Sequence, residues 1–296
     1  MSYHIGVDLG GSSVKAVAIT GEGRRLAERN VDFDTAERMQ WADCVSSIVG
    51  ELEAEQGRAA DGIGLSAPGL AAKAGRSIAC MPGRLEGLVG LDWTDFLKRE
   101  RLVSVLNDGH AALLGEAWLG AGRGAEDLFM LTLGTGVGGA AMVDGNLLLG
   151  HIGRAGHLGH VSLDPDGEPD ICGTPASLEI AIGNCTIEER TQGRFKTTHD
   201  LIAAHDSGDA FASEIWLKSV RDLAVGIGGL INVLDPEVVI VGGGISRAGD
   251  ALFGPLREHL NAVEWRPTGQ QVRVVPAELG EFAGACGAAR RAASGL

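Results

Sequence analysis

No apolar run in this chain approaches the roughly 20 residues that a membrane-spanning helix needs; glycine or a charged side chain interrupts each one first. The opening MSYHIGVDLGG also lacks a basic segment followed by an apolar one, so no secretion signal and a cytoplasmic location are expected. Cysteines are few, odd in number and scattered: Cys44, Cys80, Cys172, Cys185 and Cys286. That pattern excludes a disulfide framework and reads as reduced thiols. Aromatic residues make up only 4% of the chain, with a single tyrosine. Basic residues are short as well, 25 Lys and Arg against 39 Asp and Glu, for a formal net charge of −14. Such a field repels polyanions, so no nucleic-acid partner is expected, and no membrane partner. A phosphorylated ligand would have to be held locally, by backbone N–H groups, a metal ion and a lysine.

What the sequence has in quantity is glycine, 46 residues among 296. Glycine in strand–turn settings lets the backbone approach a ligand closely. The length allows two lobes, each with its own core. Strands are expected at His4–Leu9, at Val14–Ile19 and around Arg24–Phe33. Trp41, Val45, Ile48, Val49 and Leu52 share one face of a 3.6-residue period and predict a helix. Ile63–Ala67 reads as a strand stopped by Pro68-Gly69. Leu102–Leu106 reads as a buried strand delivering Asn107-Asp108, with a helix from about Gly109 to Trp118.

The pattern then repeats. Val7-Asp8-Leu9-Gly10-Gly11 and Leu131-Thr132-Leu133-Gly134-Thr135 each give strand, polar residue, Leu, Gly and a glycine-rich hairpin followed by a second strand. Their separation is far longer than the roughly 20 to 50 residues of solenoid repeats, so a duplicated domain is expected. Later come a long helix from about Phe211 to Leu234, the strand Val238–Val241 ending in Gly242-Gly243-Gly244, and a C-terminal helix from about Glu281. Trp41, Trp118 and Trp216 are expected in core packing.

Two glycine-rich hairpins can cradle phosphate oxygens, and a carboxylate beside them, Asp8, can hold a hydrated Mg²⁺. Gly134-Thr135-Gly136-Val137-Gly138-Gly139 is neither a Walker A loop nor a dinucleotide fingerprint, since a strand and not a helix follows it. Asn107-Asp108 stands at the carboxyl end of an apolar strand, where α/β folds place ligands. Asp108 there can accept a hydroxyl proton during attack on a phosphorus, or it can cap the next helix. His157, His160, Asp170, Cys172 and Glu179 cluster in sequence, yet no CxxC or HExxH accompanies them.

Taken in order, Asp8-Leu9-Gly10-Gly11, Ser66-Ala67-Pro68-Gly69, Asn107-Asp108, Gly134 to Gly139, Gly159-His160, Leu234-Asp235-Pro236 and Gly242-Gly243-Gly244 resemble the ROK family (repressors, open reading frames and kinases) from about residue 4 to about 292. The resemblance implies an α/β fold of duplicated actin-like ATPase (ribonuclease H-like) lobes with an interlobe cleft. The expected division is 1–107 plus 283–296 for a small lobe and 108–282 for a large one. It implies an ATP- and Mg²⁺-dependent kinase of a hexose-type sugar, with Asp108 as general base and a homodimer as the assembly. Sugar contacts are expected from Asn107, Asp108, His157, His160, Glu179, Gly69 and Arg84. Nucleotide and metal contacts are expected from Asp8, Gly10, Gly11, Ser12, Lys15, Gly134, Thr135, Gly136, Gly243 and Gly244.

Three positions depart from the family pattern. His157 stands where a glutamate is usual, Asp170 and Ser177 replace two of three zinc thiolates, and Arg84 occupies the place of an asparagine that reads a sugar hydroxyl. The first and last leave open an unusual or amino sugar, or sugar binding without ordinary kinase activity. The second implies no tight structural zinc, although His160, Asp170 and Cys172 could hold a metal weakly. A sugar-responsive repressor is disfavoured, because family repressors carry a DNA-binding segment ahead of the first hairpin.

Overall fold

A computed structural model describes residues 2–81 and 83–294; the extreme ends of the expected small lobe lie outside this range. The chain forms two compact units. The first comprises Met1–Gly124, Leu147–Ala155 and Glu278–Leu296, and the second Ala125–Asn146 and Gly156–Ala277.

The first unit opens with β1 (Tyr3–Leu9), β2 (Ser13–Thr20) and β3 (Arg25–Asp32), followed by α1 (Gln40–Gln56) and β4 (Gly62–Ala67). A small ribbon of β5 (Leu70–Ala71) and β6 (Ile78–Cys80), a short α2 (Trp93–Phe96), β7 (Ser104–Asn107) and α3 (Asp108–Leu119) come next. The main sheet runs β3-β2-β1-β4-β7. β1 is antiparallel to β2 and parallel to β4, which is parallel to β7. The face expected for α1 is the buried one: Trp41, Val45, Ile48, Val49 and Leu52 pack beneath Ile5, Val7 and Leu65.

The second unit repeats this order. β8 (Leu128–Leu133) and β9 (Val137–Val143) form an antiparallel hairpin, with β10 (Asn146–Leu147) beyond it. After α4 (Leu178–Ile182), α5 (Ile187–Arg190), α6 (Thr198–Asp206) and α7 (Ala210–Leu234) comes β11 (Val238–Gly242). α8 (Asp250–Val263) and β12 (Arg273–Pro276) complete it. The sheet order is β10-β9-β8-β11-β12, so the duplication read from the two hairpins is present in the strand topology. Trp216 is fully buried on α7 and donates its indole N–H to the Ala251 carbonyl at 2.9 Å.

The C-terminal helix α9 (Ala283–Ser294) belongs to the first unit and lies on β1 and β4. Glycines make that approach possible. A Cβ on Gly6 would stand 1.8 Å from the Ala285 carbonyl, and one on Gly64 1.9 Å from that of Ala288. α3 crosses α9 equally closely, with Gly287 against the Ala111 carbonyl.

This packing moves the boundary away from the expected one after residue 107. α3 stays with the first unit because Glu116, wholly buried, accepts the N–H groups of Ala121, Glu278 and Leu279 at 2.8–3.1 Å. His110, also buried, reaches the Ala155 carbonyl at 2.9 Å and ties segment 147–155 to the same unit.

Candidate active site

β7 ends in Asn107, which is the N-cap of α3. Its Oδ1 accepts the N–H groups of Gly109 at 2.9 Å and His110 at 3.3 Å. Its Nδ2 donates to the Gly69 carbonyl at 2.9 Å and to Asp108 Oδ1 at 2.8 Å. An amide side chain has two donor hydrogens and two acceptor lone pairs, and all are used internally. Asn107, expected as a sugar contact, thus also steadies the neighbouring carboxylate through its Nδ2. The cap is Asn107, and Asp108 is the first helical residue. Gly69 holds its carbonyl in place with φ of 97°, and a Cβ there would collide with the Cys80 carbonyl at 2.5 Å.

Asp108 lines a cavity of about 190 Å³ together with Asp8, Gly10, Gly11, Pro68 and Arg84. Asp8 stands on β1, where it accepts the Ser66 hydroxyl at 2.5 Å from the neighbouring strand. Burial pushes the Asp8 carboxyl up to about 6; the Ser66 hydrogen bond opposes this, the Asp108 charge adds to it, and Lys15 opposes it. Lys15 sits directly across the β1–β2 pair from Asp8, with Nζ 3.2 Å from Ser13 Oγ and 3.9 Å from Glu281. The tip of that hairpin closes on itself, since the Gly10 N–H donates to the Ser13 carbonyl at 2.9 Å. Gly11 and Ser12 border a larger cavity of about 890 Å³, which Arg84 also lines.

In the second unit, Gly134 and Thr135 line a separate cavity of about 600 Å³ with Asn184, Thr198, Gly244 and Arg247 among its other walls. The hairpin is held from behind. Asn184 N–H donates to the Gly134 carbonyl at 2.9 Å and Cys185 N–H to that of Thr135 at 2.7 Å. Arg190, whose guanidinium is lowered to about 10 by burial, fixes that backing loop through Thr186, Ser219 and the Gly183 carbonyl. Gly244 borders the cavity. Gly243 does not; it is glycine because φ is 86° and a Cβ would strike the Leu133 carbonyl at 2.3 Å.

Glu179 accepts the Val137 N–H at 3.0 Å, and a Cβ on Gly136 would overlap its carboxylate. It is thus anchored to the hairpin. The sequence offered no signal for Ser66 as partner of Asp8, nor for the loop 183–185 as the support of Gly134 and Thr135. Those roles depend on neighbours distant along the chain.

His157 is half-buried immediately before the short turn Leu158–His160. His160 Nδ1 lies 2.7 Å from Asp170 Oδ2, and its Nε2 lies 3.5 Å from the Cys172 sulfur. These three ligand-type atoms lie within 4.8 Å of one another. Asp170 Oδ1 accepts the N–H groups of Cys172 and Thr174 at 2.8 and 2.9 Å. Its side chain is 1% exposed and its carboxyl is held down to about 2 by hydrogen bonds from His160, Ser177, Thr174 and Cys172, against the effect of burial. Burial and the charges of Asp170 and Glu179 push the Cys172 thiol up. One imidazole, one thiol and a carboxylate already saturated by hydrogen bonds do not fit a closed tetrahedral zinc site. The carboxylate itself organises the loop.

The model of the ROK family matches residues 4–294. This chain belongs to the ROK family. Among its relatives, a glucokinase of Thermotoga maritima is 34% identical, over 96% of this chain and 95% of that protein. A ROK hexokinase from Thermus thermophilus superposes with a TM-score of 0.84 at 29% identity, covering 98% of this chain and 97% of that one. A ROK family glucokinase from Streptomyces griseus, solved with glucose and AMPPNP, gives a TM-score of 0.77 at 27% identity over 99% of this chain and all of that one. The α/β fold is thus the actin-like ATPase fold that the family resemblance implied. Among the described residues no helix of this ROK protein is long and apolar enough to cross a membrane.

Proposed function

We propose that this ROK protein is an ATP-dependent hexose kinase in which Asp108 is the general base. The observation that carries the reading is the cavity joining the Asp108 carboxylate to Asp8 and the Gly10–Gly11 turn. A carboxylate at a strand's carboxyl end beside a phosphate-type hairpin suits phosphoryl transfer to a hydroxyl. Asp108 takes the proton from the sugar hydroxyl as its oxygen bonds to the γ-phosphorus and the bond to the ADP oxygen breaks. General-base assistance of this kind contributes about 10²–10⁴-fold. The 600 Å³ cavity of the second unit suits the nucleoside, with Gly134 and Thr135 on its phosphate side.

The oxygen-rich surroundings of Asp8 fit Mg²⁺, which prefers hard ligands and retains waters. When bound, the ion would neutralise charge on the triphosphate. Asp8, held in place by the Ser66 hydroxyl, would hold it through its water shell, and the pressure of burial on the Asp8 carboxylate favours a nearby cation. Asp108→Asn should abolish hexose-dependent ADP release while titration still shows ATP binding within about threefold of wild type. Near-normal turnover in that variant would overturn the assignment of the base. A second reading, altered sugar specificity, is favoured by His157 and Arg84. ADP release across hexoses, amino sugars, N-acetyl sugars and uronic acids separates the two.

A further inference from the structure

Arg84 lies in the turn after β6 and borders two cavities of the first unit. No hydrogen bond or ion pair holds its guanidinium among the described residues. The acidic side chains around the larger cavity are already engaged: Glu86 pairs with Arg38 at 3.2 Å, and Glu37 accepts from Gln40 at 3.0 Å. One guanidinium nitrogen of Arg84 stands 3.9 Å from the point a Cβ on Gly11 would occupy. A cation unneutralised by its neighbours thus rests against the tip of a glycine hairpin.

The smaller cavity makes that cation consequential. Its other charged walls are Asp8 and Asp108, which repel any anion that enters. The hairpin supplies less than its glycines promised, because the Gly10 N–H is already committed to Ser13. Lys15 points towards Ser13 and Glu281 and is not among the cavity's walls. Arg84 is the cation that borders the space where an anion would meet the two carboxylates.

We propose that Arg84 is an oxyanion clamp, holding a phosphate or carboxylate group against the Gly11 turn beside Asp108. The proposal rests on the kinase reading above. Guanidinium matches either oxyanion through paired N–H donors, which an ammonium group does not reproduce. Two sources supply that chemistry: the phosphoryl group in transfer, or an acidic substituent on the sugar.

Titration of wild type and Arg84→Gln with inorganic phosphate and with glucuronate tests the clamp directly. Loss of at least about tenfold in affinity for one of these anions is expected. Equal affinities in the two proteins, or no binding of either anion to wild type, overturns the proposal. Steady-state kinetics then identify the source. If the phosphoryl group is held, Arg84→Gln lowers kcat on a neutral hexose about tenfold or more with KM for the sugar little changed, and Arg84→Lys recovers part of it. If a sugar acid is held, the neutral-hexose kcat stays and the preference for the uronic acid disappears. Arg84 is exposed, so an unchanged melting temperature is expected in both variants. Asp108→Asn run alongside separates the two failures. An inactive Asp108→Asn together with phosphate and glucuronate affinities unaltered in Arg84→Gln sinks the clamp alone, whereas an active Asp108→Asn sinks the kinase mechanism first.

Discussion

Asp8 shows how a single residue can trade stability for function. Its carboxyl is raised to about 6 from an ordinary 3.8, chiefly by burial. The folded protein therefore holds this proton more tightly than the unfolded chain does. The group's stabilising contribution is complete below about pH 4 and is lost as pH rises towards about 6. Without ligand, thermal unfolding measured between pH 4 and 7 should show Asp8→Asn lacking that decline and at least as stable as wild type near neutrality. The same variant should raise KM for Mg·ATP at least about tenfold, since the carboxylate that burial disfavours is the form that serves a hydrated cation. A variant less stable than wild type at pH 7 would count against this account. Asn107 carries the complementary lesson. Besides capping α3 and holding the Gly69 carbonyl, its side chain donates one hydrogen bond to Asp108.

Among the elements, α9 decides the integrity of the first unit. It packs on β1 and β4 and against α3 with almost no side-chain spacer. Gly284 faces the Asp8 carboxylate, where a Cβ would lie 2.7 Å away. Gly64→Ala or Gly287→Ala forces the helix off its seat. Each should cost about 1–3 kcal/mol in chemical denaturation, a typical overpacking penalty, with an added loss of turnover from displacement beneath Asp8. Glu116 fastens the entry to α9 through the N–H groups of Glu278 and Leu279 and accepts a third from Ala121 after α3. Glu116→Ala strands those donors, and a loss of about 3 kcal/mol or more is expected from urea unfolding. In the second unit, Glu179 and the 183–185 loop do the corresponding work for the β8–β9 hairpin.

At the level of the whole molecule, two copies of one sheet topology carry different equipment. The first has the paired carboxylates of Asp108 and Asp8 around one cavity, and the second has the 600 Å³ cavity lined by Gly134 and Thr135. The loop built around Asp170 gives the second copy internal hydrogen bonds at a position where the family pattern has a zinc thiolate and where no tight zinc was expected. Dialysis against a zinc chelator should leave the melting temperature within about a degree of wild type. Removal of Mg²⁺ should stop turnover while leaving that temperature similarly unchanged. A fall in melting temperature that added zinc reverses would show that Asp170 does not replace the metal.

The sequence by itself determined the elements and their repetition. A 3.6-residue apolar period buried one face of α1, and two glycine hairpins fixed the duplicated strand pairs. These are local signals, written in spacing and in backbone freedom. It also placed Asp108 at the end of β7, although that strand runs Ser104–Asn107 and so starts later than its apolar run suggested. Tertiary structure alone decided which polar groups were already spent. Asn107 is saturated, Gly243 is a packing glycine, and Glu179 is tied to Val137 N–H. It also kept α3 with the first unit, through Glu116 and the glycine crossing with α9. Hydrogen-bond saturation and close backbone approach depend on partners far apart in the chain, and no local spacing encodes them.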